Sequence, residues 1–105
     1  MKSQAAKKAP SIVKIEKKCG EACRTLRSLS HPGRLKVLGQ LTTGEKSVSE
    51  LQDRCGLSQS QMSQFLARMK AEGLVLCRRE GRFQKYGLAD KRVARLIEAV
   101  QTIFG

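Results

Sequence analysis

Short amide and hydroxyl side chains are concentrated between Leu57 and Gly73. Read as a helix, this segment places an apolar stripe on one face, formed by Met62, Phe65, Leu66 and Met69. The opposite face carries a polar set that we call the amide face, namely Gln59, Ser60, Gln61, Ser63 and Gln64, with Arg68 on its flank. Glutamine can form two hydrogen bonds to adenine and serine can bond several bases, so the amide face is suited to reading base edges in DNA. The alternative is a polar surface helix of an ordinary helical bundle.

A basic hairpin is predicted directly after this helix. Two extended runs, 74–79 and 83–88, lie on either side of Glu80-Gly-Arg82. A glycine between two such runs is typical of a β-hairpin turn. Basic side chains crowd its tip, namely Arg78, Arg79, Arg82 and Lys85. Cations at this place suit a phosphate backbone or a minor groove.

The chain has four cysteines, Cys19, Cys23, Cys55 and Cys77, and one histidine, His31. Cys19 and Cys23 would lie one turn apart on a helix and could share a soft metal or metalloid, with Cys55 as a candidate third ligand. A second hypothesis is redox or persulfide chemistry at the same two cysteines. The structural alternative is that the cysteines are buried as small hydrophobic residues. We assign Cys77 to packing and His31 to capping of the second helix, and no resident cofactor is expected.

The composition indicates a small basic domain. Its 105 residues include 21 Lys and Arg against 9 Asp and Glu, a formal charge of +12. Such a charge is typical of nucleic-acid-binding proteins, but ribosomal, nucleoid and anionic-membrane-binding proteins share it.

No apolar run approaches the roughly 20 residues that span a bilayer, and the first ten residues lack a secretory signal, so we expect a cytoplasmic protein without a membrane partner. No acid and base pair, and no nucleophile with a histidine partner, is recognisable, so we do not expect an enzyme.

The two ends of the chain are predicted to form amphipathic helices. Residues 1–10 are expected to be a disordered basic tail, and residues 11–105 a single domain. A long first helix is predicted from Ser11 by apolar residues spaced by three and four: Ile12, Ile15, Cys19, Ala22, Leu26 and Leu29. A last helix from Asp90 carries Val93, Leu96, Ile97, Val100, Ile103 and Phe104. The small domain between them cannot cover both stripes, which predicts a homodimer that packs the terminal helices together.

The middle of the chain is predicted to form a helix-turn-helix. A short second helix extends to Leu41, and Ser49 is the expected N-cap of a third. Gly56 is expected to end the third helix in a left-handed conformation. Ser58 and Gln61 have the spacing of a capping box that starts the next helix. Two helices joined by so tight a turn form a helix-turn-helix, in which the second helix enters a DNA groove.

Five sequence words occur in this order: Leu29-Ser-His-Pro-Gly-Arg-Leu35, Ser47-Val-Ser-Glu-Leu51, Leu57-Ser-Gln-Ser60, Ser63-Gln-Phe-Leu66 and Glu72-Gly-Leu-Val75. With the order of elements, they resemble the ArsR/SmtB family of bacterial winged-helix repressors, and within it the sulfur-responsive HlyU/BigR/SqrR/YgaV branch. The resemblance implies a mainly α winged helix-turn-helix fold with a small β-hairpin, dimerised through its first and last helices. It also implies repression by binding a palindromic operator in double-stranded DNA, with the amide face as the reading surface. Many relatives have histidine where this chain has Phe65, which is expected to pack inward or to meet a thymine methyl.

The sensing residues of the family are absent from this chain. In the sulfur-responsive branch the paired cysteines align with Gly39 and Gly105 here. The metal-sensing branch has Cys-x-Cys in the third helix, where this chain has Gln52-Asp-Arg54, and Asp-x-His in the last helix, where it has Asp90-Lys-Arg92. Release by a thiol-directed inducer at other cysteines, response to another ligand and constitutive repression all stay open.

Two other function classes also stay open. A non-specific nucleic-acid-binding protein would bind operator and random DNA with similar affinity. A winged helix that binds a partner protein would show no DNA affinity even at low salt.

Overall fold

The computed structural model describes the backbone of residues 12–105 and the side chains of Glu16 and of residues 19–105. The elements over these residues are α1 (Ile12–Leu29), α2 (Pro32–Leu41), β1 (Lys46–Ser47), α3 (Val48–Cys55), α4 (Gln59–Ala71), β2 (Val75–Glu80), β3 (Phe83–Leu88) and α5 (Lys91–Phe104). This confirms the mainly α fold class with a small β element. The basic tail predicted for residues 1–10 and the N-cap predicted at Ser11 lie outside the described residues. No helix of the described part is long and apolar enough to cross a membrane.

Local hydrogen bonds set the starts of α2 and α3. His31 caps α2 as predicted, because its Nδ1 accepts a hydrogen bond from the backbone N–H of Gly33 at 3.0 Å. The N-cap of α3 is Ser47, so the prediction of Ser49 was wrong. Ser47 Oγ accepts from the backbone N–H of Glu50 at 3.2 Å, and the Glu50 carboxylate accepts from the N–H of Ser47 at 2.9 Å. This reciprocal arrangement needs Glu or Gln three positions after the cap, a condition that Ser47 and Ser49 both meet in the sequence, and the structure has the pair at Ser47 with Glu50.

The hairpin belongs to a three-stranded antiparallel sheet with the strand order β1-β3-β2. Lys46 in β1 lies opposite Tyr86 in β3, so the predicted two-stranded hairpin was incomplete. A strand of two residues is too short to show the alternation that reveals a strand in a sequence. The turn is also tighter than predicted, since Glu80 still pairs with Phe83 and the left-handed Gly81 has a φ of 62°.

The core lies beneath α4 and joins it to every neighbouring element. Met62, Leu66 and Met69 are buried as predicted, and Phe65 is half-buried. They pack in one cluster with buried residues of the other elements, namely Val37, Leu38, Leu41, Leu51, Cys55, Leu74, Val75, Val93 and Ile97. Full burial of each large aliphatic side chain contributes about 1.5 to 3 kcal/mol. The inner face of α4 is therefore fixed, and its outer face is left at the surface.

Apolar side chains of α1 and α5 remain uncovered within one chain. Leu26 on α1 is 53% exposed, and Ile103 and Phe104 at the end of α5 are 72% and 83% exposed. The two helices are joined at their polar edges, where Arg92 forms two contacts of 3.1 Å with the carboxylate of Glu21. Val93 and Ile97 of the predicted α5 stripe are buried in the core, so only the exposed remainder of that stripe, with Leu26 on α1, is left for the dimer that the sequence predicts.

Candidate nucleic-acid interface

The start of α4 is fixed by the turn that precedes it. Gly56 ends α3 in the left-handed region, with a φ of 66°. Ser58 Oγ then accepts a hydrogen bond from the backbone N–H of Gln61 at 3.1 Å, and Gln61 Oε1 accepts from the N–H of Ser58 at 3.3 Å. The predicted helix-turn-helix and its capping box are confirmed. Ser58 Oγ also lies 3.3 Å from Gln61 Oε1, so the cap uses both acceptor positions of this amide oxygen and leaves the side chain its amide N–H groups for another partner.

The amide face lies together on the outer side of α4. All of its members are exposed, namely Gln59, Ser60, Gln61, Ser63 and Gln64. Apart from the cap at Gln61, their side chains form no hydrogen bond to another described residue. Arg68, one turn beyond Gln64, is paired with Glu72 at 3.3 Å and its side chain is 69% exposed. The amide face is thus free to bind an external partner, and its contact with DNA bases stays a prediction.

Phe65 anchors the opposite side of α4 against the start of α2. Its ring lies 4.9 Å from the ring of His31 in an edge-on arrangement. A Cβ atom added at Gly33 would come within 2.6 Å of Phe65 Cε2, so the ring fills the space that this glycine leaves open. Of the two positions expected for Phe65, the structure has the inward one. Sequence reasoning missed the role of Gly33, for which the signal was a glycine at the second position of a helix.

The four basic residues of the hairpin do not form one group. Arg78 is bound by Glu45, with a shortest contact of 2.6 Å, and by Glu80 at 3.3 Å, while Lys85 lies 3.5 Å from Glu80. The hydrogen bond from Arg78 lowers the pKa of Glu45 below the ordinary value of 4.5. Two of the four cations therefore already face carboxylates within the chain. Arg79 and Arg82, by contrast, form no ion pair with any residue that the structure describes.

Arg79 and Arg82 lie beside the N-terminus of α3. They line a cavity of about 220 Å³ whose other walls are Ser47, Val48, Ser49, Phe83 and Gln84. A helix N-terminus carries partial positive charge and free N–H groups, so it adds to the attraction of two guanidinium groups for a phosphate. Sequence reasoning did not include the start of α3 in the interface. The spacing of Ser47 and Glu50 was the signal, because it locates that N-terminus.

The structure separates the cysteines proposed as a sensor. Cys19 and Cys23 are exposed on α1, whereas Cys55 is buried in the core and burial raises the pKa of its thiol. No group of three metal-ligating side chains is found among the described residues, so Cys55 does not join the other two within one chain. Cys77 is half-buried on β2 opposite Tyr86.

A capped helix-turn-helix followed by an antiparallel wing defines the winged helix-turn-helix class. Residues 31–76 match the family described as "Bacterial regulatory protein, arsR family". A biofilm growth-associated repressor from Agrobacterium fabrum is 40% identical over 90 residues, which cover 86% of this chain and 77% of that protein. The chain belongs to the ArsR family, and it is a transcriptional regulator rather than an enzyme.

Solved structures support the same assignment. The crystal structure of the transcriptional repressor BigR from Xylella fastidiosa matches with a TM-score of 0.86 and 36% identity, over 90% of this chain and 97% of that one. The homodimeric winged helix-turn-helix DNA-binding domain of Mb0332 from Mycobacterium bovis matches with a TM-score of 0.74 and 32% identity, over 90% of this chain and 88% of that one. The fold that the sequence predicts is thereby confirmed.

Proposed function

We propose that this regulator represses transcription as a homodimer bound to a palindromic DNA operator, with α4 in the major groove. The observation that carries the proposal is the contrast between the two sides of α4. Its apolar side is buried, with Phe65 fitted against Gly33, while the amide face is exposed and nearly free of internal hydrogen bonds. A rigid helix with unengaged neutral donors and acceptors meets the requirements for reading base edges.

The contacts divide into base readers and phosphate binders. Gln64 and Ser60, one turn apart on the exposed face, are proposed to contact bases, together with Gln59 and Ser63. Gln61 would act only as a donor, since its oxygen is used in the cap. Arg79 and Arg82 are proposed to bind backbone phosphates with the N-terminus of α3, which fixes the position of α4 without reading sequence.

The remaining cations are proposed to act less directly. Arg78 and Lys85 must exchange carboxylate partners for a phosphate before they can contact DNA, so their net contribution to affinity is smaller. Arg68 must likewise exchange the carboxylate of Glu72 for a phosphate before it can contact DNA.

The exposed apolar stripes support the dimeric form. Leu26 and the end of α5 leave exposed apolar side chains that a twofold interface between two copies would cover. A symmetric dimer places two copies of α4 on successive turns of one face of the duplex, which predicts half-sites about 10 base pairs apart. The Mycobacterium bovis domain, which has the same fold, is homodimeric, and this supports a dimer here.

Competition binding tests the proposal. Fluorescence anisotropy with labelled DNA from upstream of the protein's own gene should give an affinity at least about a thousandfold above that for random DNA of equal length. Similar affinities for both DNAs would indicate a non-specific nucleic-acid-binding protein. An absence of binding to either DNA at low salt would indicate a winged helix that binds a partner protein.

The exposure of Cys19 and Cys23 favours a second element of function, which is release from DNA by a thiol-directed inducer. Both thiols are exposed on α1 of the single chain and lie one turn apart, so they can share a thiophilic ion or react with an oxidant or persulfide. An alternative bond joins Cys19 to its symmetry mate across the dimer, since a disulfide between two cysteines one turn apart in a helix is strained. Because α1 is also proposed to form the dimer interface, modification there would alter the spacing of the two α4 helices.

Titration of the reduced protein on operator DNA tests this element. Zn, Cu(I), arsenite and a persulfide donor are added in turn, and the released fraction is compared among the wild type, Cys19→Ser, Cys23→Ser and the control Cys77→Ser. Release that Cys77→Ser retains and both α1 variants lose supports the proposal. Failure of all four reagents to release DNA would make the cysteines structural.

A further inference from the structure

A concentration of positive charge lies where the end of α1, the start of α2 and the end of α4 meet. A cavity of about 310 Å³ is lined there by Arg24, Arg27, Ser28, Arg34, Arg68 and Glu72. None of these residues except Arg68 belongs to the interface proposed above. The cavity is separate from the wing arginines, which line another cavity at the N-terminus of α3.

The charge in this cavity is not balanced within the chain. Four guanidinium groups face one carboxylate, and that carboxylate, Glu72, is bound by Arg68 at 3.3 Å. The other three arginines form no ion pair with a described residue. Arg78 and Arg92 elsewhere in the molecule each bind two carboxylates. Like charges gathered in one cavity repel each other, so their arrangement favours an anion that is not part of the chain.

Two residues that line the cavity each have a buried polar atom without a hydrogen-bond partner among the described residues. The side chain of Ser28 is almost fully buried, at 2% exposure, and its Oγ is unpaired. The Nε of Arg34 is also buried and unpaired. Buried polar atoms are nearly always hydrogen-bonded in folded proteins, because an unpaired one keeps its desolvation cost. The guanidinium N–H of Arg34 needs an acceptor, and the Ser28 hydroxyl can donate to the same one.

We propose that this cavity binds a tetrahedral oxyanion of the phosphate type. A guanidinium group presents paired N–H donors that match two oxygens of such an anion, and the Ser28 hydroxyl supplies a further donor to a third oxygen. The Glu72 carboxylate remains on Arg68 at the wall of the cavity. The anion has two sources, dissolved phosphate or a phosphate of the DNA backbone. The second source rests on the proposed function, since Arg68 lies one turn beyond Gln64 on α4.

Calorimetric titration of the full chain with inorganic phosphate, at constant ionic strength set by chloride, tests the proposal without DNA. The wild type should bind phosphate at one site per chain, and Arg34→Gln and Ser28→Ala should weaken that binding at least about tenfold. Arg95→Gln removes an exposed arginine on α5 outside the cavity and should stay within about twofold of the wild type. Circular dichroism verifies that each variant folds, and Arg27→Gln, which removes an exposed side chain, replaces Arg34→Gln if that variant does not fold.

A second titration on operator DNA distinguishes the two sources. If the anion is a DNA phosphate, bound DNA should exclude inorganic phosphate, and Arg34→Gln should lower the slope of log affinity against log salt by about one. If the anion is dissolved phosphate, it should bind with the same affinity to the free protein and to the protein bound to DNA. Either result supports the site. The proposal is overturned if Arg34→Gln and Ser28→Ala match Arg95→Gln in both phosphate binding and salt slope.

Discussion

At the scale of single residues, the contacts around Phe65 explain how α4 presents the amide face. The ring fills the space above Gly33 and lies edge-on to His31, which also caps α2. The apolar stripe and the exposed polar set were predictable, because both follow from helical periodicity. The fit between Phe65 and Gly33 was not, because these residues are more than thirty positions apart, on two different helices, and their contact depends on how the helices pack.

Replacement of Gln64 tests the reading role of the amide face. Gln64→Ala should weaken operator binding by about 1 to 3 kcal/mol and leave random-DNA binding unchanged, because the lost hydrogen bonds serve bases alone. Gln40→Ala, which removes the same amide from α2, is the matched control. Equal losses on operator and random DNA would remove Gln64 from the base readers.

Two glycines of α2 form a matched pair for the packing of Phe65. Gly33→Ala should lower the free energy of unfolding by about 1 to 3 kcal/mol, because its Cβ would lie 2.6 Å from the ring and displace it. At Gly39 a Cβ meets nothing within 4 Å, so Gly39→Ala should raise stability by about 0.5 to 1 kcal/mol. Urea denaturation measures both changes. A Gly33→Ala variant as stable as the wild type would show that the ring is not a fixed anchor.

At the scale of elements, the caps and the wing set the geometry of the interface. The starts of α4 and α5 were predictable, because a capping box and an N-cap aspartate are local signals. The start of α3 and strand β1 were not recognised, since β1 exists only through its pairing with β3. The wing is further held by Arg78, which bonds Glu45 before β1 and Glu80 on β2. Ion pairs as exposed as these orient the wing more than they stabilise the fold.

The ion pairs of Arg78 predict a response of the wing to acid. Hydrogen bonds from Arg78 lower the pKa of Glu45 and of Glu80 below 4.5, so their contribution is complete above that pH and is lost as the pH falls through the lowered values. In Arg78→Gln both carboxyl pKa values should rise toward 4.5. Carboxyl chemical shifts measured by NMR during a pH titration test this directly. Unchanged pKa values in Arg78→Gln would mean that the ion pairs do not persist in solution.

At the scale of the whole molecule, the folded chain leaves only part of the apolar stripes of its terminal helices at the surface, since Leu26, Ile103 and Phe104 are exposed but Val93 and Ile97 are buried in the core. The sequence predicted this, because the number of apolar positions in α1 and α5 exceeds what a small domain can bury. Family membership follows from local motifs and is equally visible in the sequence. The anion cavity was not foreseen, since its arginines come from three helices and only the packing of those helices brings them together.

Substitution of Leu26 tests the dimer. Leu26→Glu should place a charge in the proposed interface, give a monomer in light scattering and lower operator affinity, because each half-site would then be bound separately. Leu76→Glu is the matched control, since Leu26 and Leu76 are 53% and 62% exposed but Leu76 lies on the wing. Leu76→Glu should remain dimeric. A Leu26→Glu variant that also remains dimeric would place the interface elsewhere.

The most direct test of operator reading by α4 is selection of bound DNA from a random library by the wild type and by Gln64→Ala. For the wild type we predict an enriched motif with twofold symmetry and half-sites about 10 base pairs apart. For Gln64→Ala the same spacing should persist, with base preference relaxed at one symmetric pair of positions. A library without an enriched motif, or an identical motif for both proteins, would contradict the assignment of the amide face as the reading surface.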